Sequence, residues 1–270
     1  MKHRIFFLLV TLLAALPARA ELGLALAPMR VEIQIPAGAQ YTDSLRLTND
    51  SEGPSRIRAE LLDWYLDETM TPQFADRYVQ EKNFSCRDWL QVNPREVDLV
   101  AGGAIRIRYT VRVPAETPAG EYHCGAGFVT LPPLEPGSEP MGMYIAVRAV
   151  AAIYVVVGSA ASQPVFKDLA LRSAGEGAWE AVALFENQGQ KHYRIQGFIE
   201  VADASGNVLE KVDYPQVPVL GKRMQSLPLR FKTPLKPGTY LLHSLADVGL
   251  PETLEASARV VVEDPSRKQK

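Results

Sequence analysis

The stretch Ile105-Arg106-Ile107-Arg108-Tyr109-Thr110-Val111-Arg112-Val113 alternates apolar and polar residues without a fault. Successive side chains of a strand point to opposite faces, so this pattern marks a half-buried antiparallel strand. Working outward, Val31, Ile33 and Ile35 alternate with Glu32 and Gln34, and further strands read at 44–48, 56–64, 89–93, 122–131 and 143–157. Turn signals separate them: Pro36-Ala37-Gly38, Asn49-Asp50-Ser51-Glu52-Gly53-Pro54, Ala101-Gly102-Gly103 and Pro118-Ala119-Gly120. Short strands at this spacing, each with one apolar face, predict a sandwich of two sheets.

The same grammar returns later in the chain. Leu47-Thr48-Asn49-Asp50-Ser51-Glu52-Gly53 has a counterpart in Phe185-Glu186-Asn187-Gln188-Gly189. Pro118-Ala119-Gly120-Glu121-Tyr122 is echoed by Lys236-Pro237-Gly238-Thr239-Tyr240. The offsets are 138 and 118 residues, the length of a domain rather than of a solenoid unit. The shorter second offset follows from a polar insert, Asp67–Ser85, that only the first copy carries. The predicted fold class is therefore all-β, with two tandem immunoglobulin-like β-sandwiches at 21–157 and 164–264. A linker at 158–163 joins them, and a polar tail follows at 265–270.

Residues 1–20 carry a different pattern. Met1-Lys2-His3-Arg4 is a short basic region, Ile5–Leu16 is apolar but short for a membrane span, and Ala18-Arg19-Ala20 has the small-x-small form of a signal-peptidase site. This predicts a cleaved signal peptide and a soluble, exported mature chain. Removing Lys2, Arg4 and Arg19 takes the formal charge from −2 to about −5, with no basic block before the tail. That balance argues against a nucleic-acid partner. The longest uncharged apolar run after the signal, Ala149–Ala161, has 13 residues and reads as a buried strand.

An exported chain with two cysteines, Cys86 and Cys124, favours a disulfide over two free buried thiols. Cys86 precedes the fourth strand and Cys124 lies early in the sixth. In a seven-strand sandwich those strands start at the same end but belong to opposite sheets, so the bridge would staple the sheets together.

Nothing in the chain reads as an active site. His3, His123, His192 and His243 include no pair at metal-ligand spacing, and neither cysteine belongs to a Cys-x-x-Cys motif. No glycine pair opens a helix in the way a phosphate-cradling loop requires. Asp63 and Asp67, which flank Trp64-Tyr65, read as solvated carboxylates rather than a catalytic pair. No enzyme activity, cofactor, metal or small-molecule substrate is expected.

Several stretches, in order and spacing, resemble the N-terminal domain of the PapD-like periplasmic pilus chaperones over about residues 24–157. They are Pro28-Met29-Arg30-Val31, Leu45-Arg46-Leu47-Thr48-Asn49, Asp88-Trp89-Leu90-Gln91-Val92-Asn93-Pro94, Leu99-Val100-Ala101-Gly102-Gly103 and Gly120-Glu121-Tyr122. The second sandwich is similar to that family only as a smaller immunoglobulin-like module. The resemblance implies a periplasmic chaperone that caps exported β-rich pilin-like subunits by donating a strand, with an outer-membrane usher as a further partner. The implied donor strand presents Met143, Ile145, Val147, Ala149, Ala151 and Ile153 on one face. The alternative is that this face packs in the protein's own core.

The family also binds the subunit's terminal carboxylate with an Arg from the first strand and a Lys from the seventh. Arg30 matches the Arg, but Ala152 stands where the Lys belongs, so Arg30 is either half of a carboxylate site or an ordinary strand-face residue. The rival function, from a different class, is a structural or adhesive immunoglobulin-like protein without chaperone activity.

Overall fold

The computed structural model describes residues 23–67, 70–132, 145–175 and 177–263. Ten strands build the first sandwich: β1 (Ala25–Ala27), β2 (Arg30–Ile35), β3 (Gln40–Thr48), β4 (Ser55–Leu66), β5 (Pro72–Ala75), β6 (Leu90–Asn93), β7 (Glu96–Leu99), β8 (Ala104–Arg112), β9 (Gly120–Leu131) and β10 (Arg148–Val157). One sheet has the order β1-β3-β8-β6 and the other β2-β10-β9-β4-β5, with β7 also paired to β4. The alternation read in the sequence sets the faces. Ile107, Tyr109 and Val111 are buried while Arg106, Arg108 and Arg112 face outward. They meet Leu45, Leu47, Ile57, Phe128 and Ile153 in one core. Each such fully buried aliphatic or aromatic side chain is worth about 1.5–3 kcal/mol of transfer free energy.

The second sandwich comprises β11 (Pro164–Ser173), β12 (Trp179–Asn187), β13 (Tyr193–Arg194), β14 (Gln196–Asp203), β15 (Val208–Asp213), β16 (Pro218–Val219), β17 (Arg223–Arg230), β18 (Gly238–Asp247) and β19 (Leu254–Val262). Its sheets run β11-β12-β17 and β15-β14-β18-β19, with β13 paired to β16 at one end. Phe185, Ile199, Val201, Leu227 and Leu242 centre a second, separate core.

The internal repeat has a physical basis. Asn49 and Asn187 are both fully buried after the strand they end. Asn49 Nδ2 donates to the carbonyls of Gly53 (2.8 Å) and Leu99 (3.1 Å). Asn187 Nδ2 donates in the same way to Lys191 (2.8 Å) and Val219 (3.1 Å). The Tyr122 hydroxyl donates to Pro118 O (3.1 Å), and Tyr240 repeats the contact with Lys236 O (2.8 Å). The asparagine pair satisfies turn carbonyls that would otherwise be buried without a donor, and the tyrosine pair pins the exposed turn before the following strand.

Residues 158–163 are strapped to the second sandwich. Ala161 O accepts the Gln190 N–H, Gln163 O accepts the Gln188 N–H, and the Gln163 N–H reaches the Asn187 side chain. The approach is close enough to require Gly189, where a Cβ would lie 2.3 Å from Ala161 O.

Three sequence expectations change here. The last strand of the first sandwich begins at Arg148, not Met143. Val147 O still accepts the Thr130 N–H, but the Val147 N–H turns to the Thr130 hydroxyl (3.0 Å) instead of a backbone carbonyl, and the ladder stops. Met143 lies outside the described residues. Asp63 is buried rather than solvated: its carboxylate accepts the Ser85 hydroxyl and the Tyr78 N–H (3.1 Å). Asp67 accepts the Thr71 N–H (3.0 Å) and the Gln73 side-chain amide (2.7 Å). Both carboxylates thus fold the insert onto β4. The insert itself adds β5 and short 3₁₀ segments, and Arg87 pairs with Asp76 and Asp88 to close it.

The cysteines form a disulfide. The segment before β6 lies against β9, where Ser85 bridges His123 and the Cys86 N–H donates to His123 O (3.2 Å), so the bond ties the entry of β6 to β9 rather than spanning the two sheets face to face.

Candidate functional site: an open strand edge and the cleft beside it

β10 pairs antiparallel with β9 along its whole length, from Arg148 opposite Val129 to Val157 opposite Gly120. On its other side β2 lies parallel to it only from Ala152 onward, Ala152 opposite Arg30 and Val157 opposite Ile35. The cause is the path of the chain. β1 pairs with β3 in the opposite sheet, and the chain crosses to β10 only at Arg30. Among the described residues, no strand pairs with Arg148–Ala151 on that side. Ala152 donates its N–H to Met29 O, so by alternation Val150 and Arg148 direct their backbone groups to the open edge.

The candidate donor residues divide along the strand. Ala151 and Ile153 are fully buried in the protein's own core, and Val147 and Ala149 are half-buried against it. Ile145 is 74% exposed. On the opposite face the Arg148 guanidinium pairs with Glu60 (3.0 Å). Among the described residues of the apolar row, Ile145 alone is therefore fully available to another chain.

Arg30 and Ala152 are direct neighbours across the β2–β10 pair. Ala152 packs against an aromatic cluster of Trp64, Phe74 and Tyr154 that also receives Leu220 from the second sandwich. The Arg30 side chain is more than half exposed, with Nε 3.4 Å from Glu32 Oε1. Arg194, from β13, donates to the same oxygen at 2.8 Å. Its Nη1 also lies 2.6 Å from His192 Nε2, and because a guanidinium only donates, that nitrogen accepts. His192 Nδ1–H then donates to Glu121 Oε2 at 2.6 Å. Partial burial works against the charge on Glu32, but Arg194 and Arg30 outweigh it and hold the carboxyl below the ordinary glutamate range. This chain of contacts crosses from one sandwich to the other. Beside it opens a cleft of about 550 Å³ lined by Glu32, Ser162, Lys191, Arg194, Asp247 and Leu250, among others.

Sequence reading found Arg30 and Ala152 but missed Glu32, Glu121, His192 and Arg194 as a group. It also missed the insert's role as a brace: Met70 packs on the second core, and Arg223 sits over the Phe84 ring at 5.0 Å. Among the described residues, no cluster of His, Cys, Asp or Glu suits a metal ion, and no helix is long and apolar enough to cross a membrane.

His123 is a pH-sensitive element beneath this interface. Its Nδ1 lies 2.9 Å from Phe84 O, and its ring meets Trp64 edge-on. Burial, reinforced by Arg223 and His192, lowers its pKa from 6.5 to about 3. The unfolded chain therefore binds a proton that the folded chain refuses between those values. His123's contribution to stability is complete above pH 6.5 and declines as pH falls toward 3, by about 1.4 kcal/mol per pH unit. The expected loss from pH 6.5 to 5 is about 2 kcal/mol; the lowered Glu32 carboxyl acts in the same direction only below about pH 4.5. Urea midpoints at pH 7 and 5 should show this slope, and His123→Gln should flatten it; an equal slope in the variant would refute the assignment.

No protein-family model and no curated protein matches the sequence. Several solved structures are similar to this chain over most of its length. The class 5 fimbriae chaperone CfaA is 15% identical, with a TM-score of 0.46 over 90% of this chain and 99% of its own. The YadV chaperone is 12% identical, with a TM-score of 0.49 over 88% of this chain and 100% of its own. The Acinetobacter baumannii CsuC–CsuE complex, a chaperone with a tip adhesion subunit from archaic chaperone-usher Csu pili, is 13% identical, with a TM-score of 0.46 over 86% of this chain and 97% of its matched chain.

Proposed function

We propose that this chain is an exported, periplasmic chaperone-like protein that binds β-rich subunits by strand addition at the open edge of β10. Residues 21–157 form the subunit-binding domain in this reading and 164–264 the second domain. The observation that carries it is the unpaired edge at Arg148–Ala151, which leads out to exposed Ile145. Unpaired backbone groups beside apolar side chains are a template for another strand, and proteins leave such an edge open at a cost in aggregation. Arg30 stands where the open edge ends, so a terminal carboxylate would meet it if the added strand runs parallel to β10. The usher remains a proposed partner on the resemblance alone.

Ile145→Asp tests the reading. Val147 is a poorer choice, because its half-buried side chain also serves the protein's own core. At Ile145 the charge stays in solvent, so stability should change by less than about 0.5 kcal/mol. Small exported β-rich subunits that co-purify with the native protein from its periplasm should be lost from the variant. If the variant retains them, or the native protein carries none, the structural or adhesive alternative replaces this reading.

A further inference from the structure

Glu32 Oε1 is approached by two guanidinium groups from two sandwiches, Arg194 Nη1 at 2.8 Å and Arg30 Nε at 3.4 Å. The contact is lopsided. A single carboxylate oxygen serves both, Arg194 Nη1 is shared with His192, and Arg194 Nε is buried with no partner. A guanidinium pairs most strongly with a carboxylate when two parallel N–H groups meet two oxygens. The Glu32 side chain is 42% exposed and lines the open cleft, so it can leave toward solvent.

We propose that Glu32 is a built-in carboxylate that occupies the Arg30–Arg194 pair in the free protein and is displaced by the terminal carboxylate of a bound chain. The inference rests on the strand-addition reading above and goes beyond it in two ways. The second sandwich supplies the second cation, Arg194, where β10 offers only Ala152. In addition, the empty protein is self-satisfied, because its cations do not face the cleft unpaired. A free anion gains little by exchanging one carboxylate for another. A strand whose backbone also pairs with Val150 and Arg148 brings its terminus to the same point and wins the exchange. Carboxylate recognition is thereby coupled to strand recognition.

The test uses the full chain with three probes: sodium acetate, a short peptide of alternating valine and threonine with a free C-terminal carboxylate, and the same peptide amidated. Glu32→Gln keeps a side-chain oxygen for Arg194 but removes the competing charge. It should bind acetate and the acid peptide at least about tenfold more tightly than the native protein, as expected for releasing a charge-assisted pair. The amidated peptide should bind both forms alike. The double variant Glu32→Gln/Arg194→Gln should lose the gain. Equal affinity of the native protein and Glu32→Gln for acetate and the acid peptide, with melting temperature retained, overturns the proposal, as does a gain that survives removal of Arg194. Should Glu32→Gln melt early, Arg194→Gln alone decides: it should weaken the acid peptide and leave the amide unchanged, and equal weakening of both overturns the proposal. Strand addition is read separately, as protection of the Val150 amide against hydrogen exchange by the amidated peptide. If acetate shows the gain and neither peptide protects Val150, the carboxylate exchange stands and strand addition falls; protection without the gain gives the reverse.

Discussion

Replacing Trp64 with alanine is expected to remove about 3–5 kcal/mol from the stability of the first sandwich and to uncouple it from the second. Trp64 is 2% exposed on the outer face of β4, where a lone sandwich would present it to water. Its Nε1–H donates to Cys124 O at 3.1 Å, and its ring meets Phe74, His123 and Tyr154. Leu220, from the loop after β16, completes the cluster. Truncation removes the largest side chain there, leaves a cavity between two rigid sheets and strips the Cys124 carbonyl of a donor, and such losses fall in this range. The second sandwich has its own core, so calorimetry should show one transition in the native protein and two in the variant, the earlier from the first sandwich. A shift below about 1 kcal/mol, or a transition that remains single, would show that other contacts hold the interface.

That cluster also shows what the sequence could and could not reveal. The strands were legible because period-2 alternation is local: Ile107, Tyr109 and Val111 declare their face within a few residues. The tandem repeat was legible because Asn49 and Asn187 do the same job at corresponding turns. The cleft was not. His192 meets Glu121 across 71 residues and Arg194 meets Glu32 across 162, and no local pattern marks such partners. The insert at 67–85 read only as polar, yet Arg77 and Asp76 pair with Asp88 and Arg87 just beyond it, and Met70 and Phe84 reach the second sandwich. The extent of the last strand was misjudged for a related reason. Alternation continues through Met143, Ile145 and Val147, but alternation reports which face a residue would take, not whether a neighbour is present to pair with it.

Replacing Cys86 and Cys124 together by alanine should lower the stability of the first sandwich by about 3–4 kcal/mol, the chain-entropy value for the 38-residue separation. Alanine is preferable to serine because both positions are fully buried, and a hydroxyl there would add an unsatisfied polar group to the measured loss. The bond spans more than a local turn. It fixes the segment entering β6 against β9, and β9 is the strand that carries both β10 and β4. It therefore shrinks the unfolded ensemble of β6, β7 and β8, which lie within the closed loop, whereas the second sandwich contains no part of it. The urea midpoint of the first sandwich should fall below that of the second, followed through Trp179, so that the single native transition splits. Adding reductant to the unfolded native protein should reproduce the variant's refolding midpoint. A loss confined to below about 1 kcal/mol would mean that the pairing of β9 with β4 and β10 already restricts the unfolded chain. A loss shared equally by both sandwiches would instead place the disulfide's effect on the interface through Trp64, whose indole N–H is bonded to the Cys124 carbonyl.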